Sequence, residues 1–133
     1  MIDDIKTLST LYEAVLNNVP FQPSPELKKA IGRRNVDFRN GRLTLVNGTD
    51  PTPENAIPLI QQTQKRINDR EDIIKRLNTL PDDASVQEVR ATIGIGDSRA
   101  VNKSSEIRVW QSYVDSGKQY IDDMKLAVKE YTK

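Results

Sequence analysis

The chain has 133 residues, a formal net charge of +1, 29% charged residues, 36% hydrophobic residues and only 5% aromatic residues. That length suits one domain, and the thin apolar share suits long helices with a narrow seam, or a protomer that completes its core with neighbours. Cysteine and histidine are both absent, which excludes disulfides, thiolate metal sites, cysteine nucleophiles and the commonest general base and metal ligand.

In chain order, residues 1–19 read as an amphipathic helix. Met1, Ile5, Leu8, Tyr12, Val15 and Val19 recur at steps of four and three, and Ile2, Leu11 and Leu16 widen the stripe. Asp3 and Asp4 suit the first turn, and Pro20 ends it. Ser24-Pro25 then opens a short helix over about 25–34, with serine as cap and proline as first helical residue.

Residues 36–46 read as a β-hairpin. Asn40-Gly41 is the preferred pair for a two-residue turn in which both positions take positive φ. The register set by that turn pairs Phe38 with Leu43 and Val36 with Leu45, so all four share one face. Two strands alone are marginal, so that face must lie on helices.

Asn47-Gly48-Thr49-Asp50-Pro51 is a turn-rich link. A long helix follows at about 57–79, opened either by Thr52-Pro53-Glu54 or by Pro58. Its seam runs through Ile60, Thr63, Ile67, Arg70, Ile74 and Leu77. Glu71→Lys75 and Asp72→Arg76 are favourable pairs on the wet side. Pro81 ends this helix. Ser85…Glu88 is a capping box for a short helix over 85–93, with Val86, Val89 and Ile93 on one face and Gly94 as C-cap. A loop spans 94–103.

The last helix, about 104–131, carries the most regular pattern. Ile107, Trp110, Val114, Gly117, Ile121, Met124, Val128 and Tyr131 occupy successive a and d positions, which argues for a helix packed lengthwise on another. Two arrangements satisfy this seam: an internal antiparallel hairpin with 57–79, or an oligomer interface between chains. Gly117 in mid-seam permits a close helix approach or marks a bend. The expected fold is mostly α, a long helical hairpin or three-helix bundle in one domain, with a small inserted β-hairpin.

The second feature is a basic cluster. Lys28, Lys29, Arg33, Arg34, Arg39 and Arg42 are opposed only by Glu26 and Asp37 within 20–48, which leaves the remainder of the chain at −3. Arg39 and Arg42 face each other across the turn, an arrangement that needs a neutralising partner such as phosphate or an acidic surface unless the guanidinium groups splay into water. Other features are weaker. Gly94-Ile95-Gly96-Asp97-Ser98-Arg99 lacks the third glycine and the Lys-Ser/Thr pair of a phosphate loop. The doublets Asp3-Asp4, Asp82-Asp83 and Asp122-Asp123 do not share a helix face within each pair, so the first two suit helix starts and the third a wet face. No catalytic, cofactor or metal residues are expected.

Asn47 and Asn102 head sequons, but the start Met1-Ile2-Asp3-Asp4 has no basic leader before an apolar run, so both read as loop asparagines. No stretch approaches the ~18 apolar residues of a membrane span. The expectation is a cytoplasmic protein, possible also inside a virus particle, neither secreted nor membrane-bound. The order helix, two-stranded ribbon, helix over roughly 25–78 resembles small phage head–tail joining proteins, a likeness of architecture with no shared motif. Together these features predict a non-enzymatic structural or assembly protein, a homo-oligomer or connector. A nucleic-acid-binding module using 28–42 is the alternative.

Overall fold

Helix starts in this chain fall where a side-chain oxygen replaces a missing backbone partner. The computed structural model describes residues 21–94 and 102–132. Within them α1 (Pro25–Gly32) opens on Ser24, which accepts from the Leu27 N–H at 3.1 Å. Helix α2 (Pro53–Asn78) opens on Thr52, α3 (Val86–Ile93) on Ser85 and α4 (Lys103–Tyr131) on Asn102. Each of these caps accepts from the backbone N–H three residues on. Helix makes up 68% of the described residues, beside one two-stranded antiparallel sheet. The mostly α fold with a small β-hairpin is therefore observed.

Several boundaries differ from the sequence reading, most by one residue: the helix expected over 85–93 starts at Val86, and the one expected to end at 79 ends at Asn78. Helix α2 begins at Pro53 and not at 57, because Thr52 caps it, and Pro58 lies inside the second turn. A proline there forfeits only one backbone bond near the helix start. Helix α1 stops at Gly32 and not at 34. The residue that takes the left-handed conformation after it is Arg34 (φ 63°), with Asn35 N–H bonded to the Ala30 carbonyl at 3.1 Å, as in a glycine-type helix stop. Helix α4 starts at Lys103, since Asn102 is its cap. The expected helix over 1–19 and most of the 94–103 loop lie outside the described residues.

The ribbon β1 (Val36–Arg39) and β2 (Arg42–Leu45) has the expected register, with Val36 opposite Leu45, Phe38 opposite Leu43 and Arg39 opposite Arg42. Asn40 and Gly41 both take positive φ, as the two-residue turn demands. Alternation puts Val36, Leu43 and Leu45 inside, where they are fully or almost fully buried. Val36 and Leu43 pack with Leu27, Ala30 and Ala127, whereas Leu45 joins Ala56, Ile67, Val114, Ile121 and Met124. The ribbon thus bridges α1 to the long helices.

Helices α2 and α4 form an antiparallel hairpin. Leu77 clusters with Ile107 and Trp110, and Ile67 meets Gly117, so the contact order runs in opposite directions along the two helices. Helix α3 caps one end by placing Val89 against Leu77. Its expected apolar face is only partly used, since Val86 is exposed and only Val89 is fully buried.

Candidate functional site

The a and d stripe of α4 is covered from within the chain. Val114, Ile121 and Met124 are buried against α2, and Ile107, Trp110, Gly117 and Val128 are partly buried. Tyr131, the last position, is exposed. At Gly117 a Cβ would stand 2.8 Å from Ile67 Cγ1, so the glycine marks the close approach of the two helices.

The six basic residues do not act as a unit. Arg33 Nε and Nη2 donate to the two carboxylate oxygens of Asp123 at 2.9 and 2.8 Å. Asn35 Nδ2 and Gln119 Nε2 donate to the same carboxylate. Asp123 is 2% exposed, which corrects the expectation of a wet face for the third acidic doublet. Burial pushes its carboxyl up, but the hydrogen bonds from Arg33, Asn35 and Gln119 and the Arg33 charge outweigh that and hold it below the ordinary carboxylate value. The bond to Asp123 likewise raises Arg33 above the usual guanidinium value. This cluster clamps the α1–ribbon unit to α4, so Arg33 is committed internally.

Arg42 is also paired, to Asp50 at 2.9 Å on the surface, and this supplies the neutralising partner that the Arg39–Arg42 opposition called for. Lys28, Lys29, Arg34 and Arg39 remain exposed, with no carboxylate partner among the described residues. A second tie joins α1 to α4: Ser24 N–H and Oγ–H both donate to the Glu130 carboxylate. Glu106, which the heptad pattern does not single out, is 3% exposed.

A different surface emerges on the outer side of the helical hairpin. Val109, Tyr113 and Tyr120 recur at helical spacing along α4. Val109 is 38% and Tyr113 46% exposed, and Tyr120 is half-buried. The Arg70 guanidinium lies 5.2 Å from the Tyr113 ring centroid, and Trp110 meets Tyr113 edge-to-face at 5.5 Å. Burial pushes the Tyr120 hydroxyl up, against the lowering influence of Arg66, one turn before Arg70. The heptad leaves Tyr113, Tyr120 and Leu126 off the seam, but it does not reveal the Arg70–Tyr113 stack, because Arg70 occupies a seam position in sequence.

Among the described residues no group of three or more acidic side chains is placed to hold a metal ion, and no helix is long and apolar enough to cross a membrane. Comparison with protein-family models, with curated proteins and with solved structures returns no match.

Proposed function

We propose that the chain is a non-enzymatic structural protein that works by joining other protein chains into an assembly, itself included. The observation that carries this reading is the open Tyr113 face. Exposed Tyr113 lies beside two arginines, residue types enriched at the centres of protein interfaces, and exposed Val109 extends the apolar surface. The a and d seam would not serve as that interface, because α2 already covers it. The contact uses the outer side of the long helices instead.

The concrete form proposed is a small connector or assembly component of a virus particle, made in the cytoplasm of the producing cell. The helix, ribbon, helix order over 25–78 supports that form by architecture alone. Light scattering on the pure chain should give a mass of at least two protomers. Tyr113→Glu should reduce it to one while leaving the helical circular dichroism unchanged. A wild-type mass of one protomer at every concentration sinks the homo-assembly.

A second reading is favoured by one observation. Lys28, Lys29, Arg34 and Arg39 have no carboxylate partner among the described residues, so they remain free to contact the phosphate backbone of a nucleic acid. Arg33 and Arg42 drop out of that set because each is already paired. A backbone binder is retained on DNA at low salt and released steeply as salt rises. Absence of retention even at low salt eliminates it.

A further inference from the structure

Arg34 stands in a backbone conformation that suits a different residue. Helix α1 ends in a closing turn in which the Arg34 N–H donates to the Ile31 carbonyl at 2.9 Å and the Asn35 N–H to the Ala30 carbonyl at 3.1 Å. That pattern needs one residue in the left-handed region just past the helix, and glycine usually fills it because a Cβ there crowds the backbone. Here the residue is arginine, at φ 63°. Gly32 lies two positions earlier, inside the helix.

The strained residue is held from both sides. Arg33 Nε and Nη2 and Asn35 Nδ2 all donate to Asp123, so the residues before and after Arg34 are tied to one buried carboxylate on α4. A strained conformation persists only where its surroundings over-determine it, and such residues cluster at functional sites. No contact within the chain accounts for an arginine at this position. Its side chain is exposed, with no hydrogen bond or carboxylate partner among the described residues.

The neighbouring charges say what the guanidinium meets. With Arg33 held by Asp123 and Arg42 by Asp50, the charges left in 21–48 are Lys28, Lys29, Arg34 and Arg39 against Glu26 and Asp37, four positive against two negative. Lys28 and Lys29 lie about 8–9 Å before Arg34 along α1. Arg39 is at most about 18 Å beyond it. Together they span at most about 27 Å, the rise of roughly eight base pairs, which suits a row of phosphates better than a single ion. Phe21 and Phe38 pack against the α1–ribbon core, so they offer no free ring face on which a base could stack.

We propose, resting on the nucleic-acid reading above, that Arg34 is a phosphate-contacting residue. The ties of Arg33 and Asn35 to Asp123 hold its turn rigid and leave its guanidinium open to the backbone of a nucleic acid, with Lys28, Lys29 and Arg39 as further contacts. Contacts of this kind follow phosphate and not base sequence.

Two substitutions in the full chain separate strain from charge. Arg34→Gly removes both, and Arg34→Gln removes the charge alone. Arg34→Gly should raise the melting temperature by about 2–5 °C, and Arg34→Gln should leave it unchanged. Both should weaken binding to a DNA duplex of about 30 base pairs by about tenfold at low salt. Both should also lower the slope of log affinity against log salt by about 0.9, the share of one phosphate contact. Lys65→Gln, an equal loss of charge at an exposed site on α2, should keep the wild-type slope.

A duplex held as tightly by both Arg34 variants as by the wild type overturns the role of Arg34 and leaves the nucleic-acid reading to Lys28, Lys29 and Arg39. An equal loss in Lys65→Gln reduces the effect to net charge and overturns it as well. An Arg34→Gly chain no more stable than the wild type shows the turn to be unstrained and overturns the assignment. Tighter binding to poly-glutamate than to the duplex gives this surface to an acidic protein instead. A wild type that is not retained on the duplex even at low salt defeats both the role of Arg34 and the nucleic-acid reading.

Discussion

Arg33 and Asp123 stand 90 residues apart in sequence and share two hydrogen bonds, of 2.9 and 2.8 Å, across the junction of α1 and α4. The pair turns a surface charge into a structural clamp. Asn35 and Gln119 complete the set of donors to the buried carboxylate.

Replacing the carboxylate should loosen this junction. Asp123→Ala leaves four donor groups on three side chains without their acceptor and should cost about 2–4 kcal/mol in denaturant unfolding. Asp123→Asn should cost less, because one acceptor oxygen remains. A midpoint unchanged by Asp123→Ala would show that the clamp contributes nothing.

The same carboxyl sets an acid dependence. Its folded pKa lies below the unfolded value near 3.9, so its contribution is full above that value. It should fade as pH falls from about 4 through the folded pKa, where the folded state must take up the proton. Urea unfolding from pH 6 to pH 2 checks this. Wild type should lose more stability than Asp123→Asn over the lower half of that range, and parallel losses would contradict the assignment.

Gly117 and Ile67 make a close contact between α2 and α4. Alanine at 117 gains about 1 kcal/mol of helix propensity but drives a methyl into Ile67, at about 1–3 kcal/mol for overpacking. The net expectation is a lower melting temperature. A higher one would mean that the helices can part without loss.

The Val114 seam is internal, so a charge placed there should destroy the fold. Val114→Asp should give a chain without cooperative melting, since the residue is buried between α2 and α4. A folded, monomeric Val114→Asp chain would place that seam between protomers instead.

The Arg42–Asp50 pair is exposed on both sides and screened by water. Asp50→Asn should change stability by less than ~1 kcal/mol, and less still in high salt. A larger loss would assign Asp50 a role in the turn before α2, where its carbonyl accepts from the Asn55 side chain.

The ribbon register, the helix caps at Ser24 and Ser85, and the heptad of α4 were legible in the residues, whereas the starts of the two long helices, capped by Thr52 and Asn102, fell earlier than the periodicity placed them. They depend on local geometry: the φ values that Asn40-Gly41 permits, the oxygen that a serine offers and the 3.6-residue period. Asp122-Asp123 was not legible as a buried site. Nothing within a helix shows that a basic residue 90 positions away will meet one carboxylate and bury it while the adjacent one stays wet.

The amino-acid order by itself determined which segments are helices, how the two strands pair and which edge of the last helix is apolar, because each follows from interactions within a few residues. Only the tertiary structure decided what covers that edge, which arginines are already engaged and which tyrosine is left facing water. Those outcomes depend on how elements far apart in the chain stack against one another, and burial and ion pairing across that distance leave no local mark in the sequence.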